Sequence, residues 1–249
     1  MTDIHQIVNR QINRWNQEIS LYKESLKLDE SAEHPAKAKP VVTLSRQRGC
    51  RGREFAHLLA HELHYGLFDR QIVNYIAEHM GVRSEMVESL DEHERSALEI
   101  WVQGMLNQRL VERDDYFRAL AEAVKTISFQ GGVVILGRGA NFLLRRTNAF
   151  HLRLIAPIEI RIRNLADYRG VEPSEAEKEI ERVDGERAQF IKRYYRHDIN
   201  DPCVYDLTIN MENTTLDAAV KIALSALRAR GWSLELTGGD KRTRAKKLP

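Results

Sequence analysis

Cysteine is scarce in this chain. Cys50 and Cys203 are the only two, too few for a disulfide framework or a four-thiolate metal site, and a reducing cytoplasm is the expected setting. No apolar run approaches the roughly 20 residues that span a bilayer, and the first residues are polar rather than signal-like, so no membrane anchor is expected. Charge of one sign is not in excess either. Lys and Arg number 38 against 36 Asp and Glu, leaving +2, although 30% of residues are charged. Such a balance gives no general polyanion-binding character, and no nucleic-acid partner is expected. No internal repeat is evident. At 249 residues with 43% hydrophobic content, one large α/β domain with appendages is expected rather than two full domains.

What the chain does have is concentrated in residues 41–70. Val41, Val42, Thr43 and Leu44 form a short β-branched apolar run, the pattern of a strand buried on both faces. The run breaks into Ser45-Arg46-Gln47-Arg48-Gly49-Cys50-Arg51-Gly52-Arg53-Glu54, a turn with two glycines and four arginines. Phe55, Leu58, Leu59 and Leu63 then share one face of a helix. Strand, glycine turn, helix is an anion-holding arrangement, because backbone N–H groups and the positive helix end point at the ligand. The Walker pattern G-x-x-x-x-G-K-[ST] is not satisfied. Gly52-Arg53-Glu54 stands where Gly-Lys-Ser/Thr is expected or, without a gap, Gly52 itself takes the lysine's place.

Further along, residues 67–70 predict a short strand ending in Asp69 and Arg70, on the rim where α/β proteins bind ligands. From 71 to 129 the pattern is nearly all helical. Residues 131–140 predict an apolar strand ending in Gly137-Arg138-Gly139. An arginine at a strand tip suits bidentate recognition of phosphate or of a base carbonyl. Another strand follows at 151–157, then a helix carrying Arg161. Residues 172–198 form a polar helix holding Asp184, Arg187 and Arg193, and the excess of cations over residues 187–196 suits a phosphate role. Tyr205–Asn210 is the last strand and 215–230 the closing helix. Short strands joined by helices predict a three-layer α/β/α domain with a mostly parallel sheet.

SRQRGCRGRE followed by LFDR resembles the divergent cytidylate-kinase-like branch of the P-loop nucleoside monophosphate kinases. That branch reads S-R-Q-x-G-S-G-G-R-E, then F/Y-D-R/K, and also lacks the usual lysine. The chain departs from it with Cys50 for serine and Arg51 for glycine. The G-R strand end at Arg138, a D-x-x-R element at Asp184 and Arg187, and Y-D-L-x-I-N at 205–210 extend the resemblance from about residue 41 to 227. It implies a P-loop NTPase fold with an acceptor-binding helical insert at about 71–129 and a lid at about 168–198. It also implies ATP with Mg²⁺ as cofactors, nucleotides as partners, and phosphoryl transfer to a nucleoside monophosphate, CMP or dCMP foremost. Ser45 to Glu54 would cradle the donor phosphates. Arg53, or Arg51 in the other alignment, would supply the loop cation. Asp69, Arg70 and Arg138 would hold the acceptor, and Arg161, Arg187 and Arg193, with Asp184, would bring charge from the lid. Two other readings stay open: a nucleotide-binding regulatory or scaffold protein with a degenerate loop, and a kinase of another small molecule.

Val8, Ile12, Trp15, Ile19, Tyr22 and Leu26 make a heptad seam on a helix over residues 1–30, suited to packing on its own domain or to a homodimer. Residues 31–40 predict a linker, and 237–249 a disordered basic tail. His57, His61 and His64 share a helix face away from the apolar stripe and are expected as surface histidines rather than zinc ligands.

Overall fold

The computed structural model describes residues 39–88, 90, 92–107, 115–145 and 147–232, together with Gln6, Arg10 and Asn13, which are helical and exposed. The seam of residues 8–26, most of the linker, Arg109, Arg113 and the basic tail lie outside the described residues.

Strand β1 (Val41–Arg46) is the centre of the sheet. Five strands lie in the order β2-β3-β1-β4-β5, with β2 Gly66–Phe68, β3 Val133–Leu136, β4 Ala149–Ile155 and β5 Leu207–Asn210. Every pairing is parallel. Helices α1 (Gly52–Leu63), α2 (Arg70–Glu78), α3 (Met80–Glu88), α4 (Glu92–Asn107), α5 (Asp115–Gln130), α6 (Ala140–Leu143), α7 (Ile158–Arg169), α8 (Pro173–Tyr195) and α9 (Leu216–Ala229), with a short 3-10 helix at Pro202–Val204, complete the described elements.

Alternation along β1 and β3 explains the three layers. Val41, Val133 and Ile135 join Phe117, Leu120 and Val124 on one face, while Val42, Leu44, Val134 and Leu136 join Phe55, Leu59, Ala223 and Leu227 on the other. Both faces of the central strands are therefore dry, as a parallel sheet requires. The α7–α8 hairpin has a small core of its own, built on Leu165, Ala166, Ala176 and Ile180. Its second helix, α8, falls within the stretch of about 168–198 expected as the lid.

The predicted second strand is shorter than its sequence suggested. It ends at Phe68, because Asp69 turns out of the sheet to cap α2, accepting from the N–H groups of Gln71 and Ile72 at 2.9 and 3.2 Å. Asp69 is thus an N-cap, the position a short acceptor side chain favours. His57, His61 and His64 are all exposed, as their face predicted.

A histidine that the sequence did not single out is buried instead. His151 of β4 lies inside, its Nδ1 2.8 Å from Thr43 Oγ1, its N–H donating to Asp206 Oδ2 at 2.7 Å. Burial pulls its pKa from 6.5 down to about 4, against the opposing pull of Asp206. The folded state keeps the ring neutral where the unfolded chain already binds a proton. Stability is therefore complete above pH 6.5 and drains away as pH falls toward 4, with a slope of up to about 1.4 kcal/mol per pH unit from this group. Denaturant melts of wild type and His151→Asn between pH 7 and 4 check this. The variant should lose part of the slope, and identical slopes would contradict the assignment.

Candidate functional site

At the end of β1 the chain turns through Gln47, Arg48, Gly49, Cys50 and Arg51 into α1. Gly49 has φ +89°, and a Cβ there would fall 2.5 Å from the carbonyl oxygen of Arg161. The loop and the start of α7 are therefore in direct contact, which only glycine permits. Arg51 precedes the helix at φ 55°, a left-handed conformation uncommon outside glycine, and α1 begins without a side-chain cap. An uncapped N-terminus leaves backbone donors for an anion. Cys50 is buried beneath the turn, and burial pushes its thiol up to about 12, so it stays protonated at neutral pH.

Helix α8 meets this loop through one carboxylate. Asp184 of α8 accepts from the Arg48 N–H at 2.8 Å and from Arg187 Nη1 at 3.1 Å with one oxygen, and from Arg161 Nη1 at 2.7 Å with the other. Arg187 Nη1 also donates to the Arg46 carbonyl at 3.0 Å, and Asn164 Nδ2 to the Gly49 carbonyl at 3.1 Å. Arg48 reaches Glu179 at 2.6 Å. Three of the residues expected to carry lid charge, Arg161, Asp184 and Arg187, thus meet at the loop. Arg193 does not join them; its guanidinium lies over the Tyr194 ring at 5.2 Å.

The loop arginines separate by destination. Arg53 pairs with Asp69 at 2.7 Å, its side chain 58% exposed, and Arg51 lies 3.9 Å from Glu54. Ser45 Oγ accepts from Arg153 Nη1 at 2.9 Å, and Arg153 also reaches Tyr205 and Asn200. Arg153 is buried in β4. Its role escaped the sequence because a basic residue inside an apolar run carries no partner label.

Between the sheet's C-terminal edge and α8 lies a cavity of about 240 Å³. Arg46, Arg70, Arg138 and Arg187 all line it, and Glu186 is the one carboxylate beside them; Phe142 and Phe190 give it an apolar wall. Arg138 sits at φ 55° between Gly137 at 87° and Gly139 at 65°, a sharp turn that aims the arginine off the tip of β3. Its Nε and the Nδ2 of Asn141 are buried donors without an acceptor. Burial lowers the pKa of Arg138 and of Arg187, where Asp184 opposes the shift. Guanidinium groups nevertheless stay charged at pH 7. Four cations and two orphaned donors around one cavity describe an anion site that also makes a neutral hydrogen bond. Asn141 was missed in the sequence, where it was one residue of an ordinary helix start.

A five-stranded parallel sheet with a glycine turn leading off its central strand, met at that turn by the α7–α8 helical hairpin, defines the P-loop α/β fold. Residues 41–213 match the cytidylate kinase-like family, and the chain belongs to it. It is 32% identical over 106 residues to a cytidylate kinase from Aeropyrum pernix, covering 42% of this chain and 61% of the relative. A cytidylate kinase from Haloquadratum walsbyi is 30% identical over 106 residues, covering 42% of this chain and 55% of that one. The chain therefore spans less than two thirds of the length of these curated relatives. Among solved structures, an uncharacterized protein from Eubacterium ventriosum matches with a TM-score of 0.62 and 16% identity, over 77% of this chain and 99% of that one. That likeness concerns the fold.

Proposed function

We propose that the protein transfers a phosphoryl group from ATP to a nucleoside monophosphate, with CMP or dCMP as the first acceptors. The observation that carries this reading is the convergence of Arg46, Arg70, Arg138 and Arg187 on one cavity with unpaired donors at Arg138 and Asn141. A phosphate-bearing small molecule satisfies both features. Its relatives named cytidylate kinase support CMP as the first acceptor to test.

ATP, when bound, supplies the phosphoryl group. The turn from Gly49 to Gly52 and the open end of α1 receive the donor phosphates. Arg70 and Arg138 hold the acceptor phosphate, and Asn141 donates to an oxygen of the sugar or base. Arg161 and Arg187, poised on Asp184, bring positive charge from the lid. Asp69, pinned by Arg53, fixes the start of α2 and with it Arg70. Transfer of this kind is mostly positioning and charge neutralisation, which this set of groups provides.

Magnesium fits less well. Among the described residues no group of three or more His, Cys, Asp or Glu side chains could hold a metal. Ser45 already accepts from Arg153, and Glu54 stands where a hydroxyl is usual. No step is therefore assigned to the ion. The test of this function is acceptor-dependent release of ADP from Mg²⁺-ATP by the purified protein.

A further inference from the structure

We propose that Arg46 supplies the cation that the loop lacks at its lysine position, setting its guanidinium on the phosphoryl group in transfer; this rests on the kinase reading above. Arg46 is the last residue of β1, at the first turn of the loop rather than its end. Its stem lies across Gly52. A Cβ on Gly52 would fall 2.6 Å from Arg46 Cγ and 2.9 Å from Arg46 Cβ. Its head passes Gly137 at the tip of β3, where a Cβ would stand 2.7 Å from Nη1. Two glycines from separate elements thus form the passage that this one side chain occupies.

Among the described residues the Arg46 guanidinium has no ion pair or hydrogen bond, and it lines the cavity with Arg70, Arg138 and Arg187. Burial lowers its pKa to about 9, with Arg187, Arg48 and Arg70 adding to the shift and Asp69 opposing it weakly. It stays charged at pH 7. A half-buried cation among like charges, only partly offset by Asp69, is costly until an anion joins it. The stem on the donor loop and the head in the acceptor cavity place that charge on the boundary between the two, where the transferring group must cross. The other loop cations are engaged elsewhere: Arg53 on Asp69, Arg51 beside Glu54, Arg48 on Glu179.

Gly52 then has a physical explanation. In the ungapped alignment it holds the lysine's position, and any side chain there would collide with the near end of Arg46, which cannot swing aside as a flexible tip could. The missing lysine and the loop-entry arginine are one exchange, with the charge moved from the end of the loop to its beginning.

The test is a charge transplant. Wild type, Arg46→Ala, Arg53→Ala, Gly52→Lys and the double variant Arg46→Gly with Gly52→Lys are assayed for ADP release from Mg²⁺-ATP with CMP. Binding of inorganic tripolyphosphate is measured in parallel by calorimetry, and each variant's melting temperature is recorded. Arg46→Ala should lose about 100-fold in turnover, the usual cost of removing one transition-state donor, and more than Arg53→Ala loses. Gly52→Lys alone should fall below wild type, and the double variant should recover at least about 10-fold over Arg46→Ala. Tripolyphosphate should bind wild type at least about 10-fold more tightly than Arg46→Ala. A larger loss for Arg53→Ala, or a gain from Gly52→Lys alone, overturns the proposal. So does tripolyphosphate binding that is absent or indifferent to Arg46→Ala. A wild type without turnover that binds tripolyphosphate through Arg46 would remove the kinase reading and leave Arg46 as the phosphate cation.

Discussion

Gly139→Ala is expected to destabilise the protein by roughly 3 kcal/mol, combining a left-handed backbone penalty with overpacking. For a domain of this size that is a fall in Tm on the order of 10 °C. Gly139 sits at φ 65°, and a Cβ there would lie 2.2 Å from Cε2 of Tyr195. Tyr195 cannot yield. It is buried at the end of α8, stacked on Phe142 at 5.1 Å and edge-on to Phe117 at 5.3 Å. Its hydroxyl donates to the carbonyl of Arg138 at 2.7 Å, so displacing the ring also releases the turn that aims Arg138. Thermal melts decide the matter. A Tm within about 2 °C of wild type would show that the ring moves freely.

Arg138→Ala is expected to act in the opposite sense, on function and not on folding. Losing one charge-assisted contact to the acceptor phosphate should raise KM for CMP by about 10- to 100-fold, while kcat changes by less than about threefold. Tm should hold or rise, because the substitution removes a buried unpaired Nε and a guanidinium crowded by burial. Sites built to bind commonly give up stability in this way. An unchanged KM, or a large fall in kcat alone, would remove Arg138 from acceptor binding.

Much of the architecture was legible in the sequence, because the signals were local. Val41 to Leu44 read as a buried strand and 131–140 as an apolar strand running into Gly137-Arg138-Gly139; the strands lie at Val41–Arg46 and Val133–Leu136, the second leading into the turn at Arg138. The closing helix was predicted from its apolar spacing, and Thr215 caps it with a bond from the Ala218 N–H. Asp69 was misjudged as part of a strand because an acidic residue after an apolar run serves equally as a strand end and as a helix cap.

What stayed hidden depends on long-range pairing. Asp184 and Arg48 are 136 positions apart, and nothing in either segment announces that the lid's acid meets the loop's N–H. Arg46 was one of four loop arginines, and only the glycines it passes, one of them just beyond β3, separate it from the others. Arg53 stood in the position that the motif led one to expect for the cation, yet its nearest acid is Asp69. Charge in a turn is visible from sequence, whereas the direction in which it points is set by the elements packed around it.

The central claim is that this cavity joins a donor loop to a phosphate-bearing acceptor. ADP release by purified protein, measured with Mg²⁺-ATP across a panel of nucleoside monophosphates, tests it most directly. Acceptor-dependent ADP is expected, fastest with CMP or dCMP. Turnover should be slower than that of a kinase with the usual loop lysine, since a planar guanidinium replaces an ammonium's point charge. No acceptor-dependent ADP above a heat-killed control, with every monophosphate in the panel, would contradict it and favour a protein that binds nucleotides without turning them over.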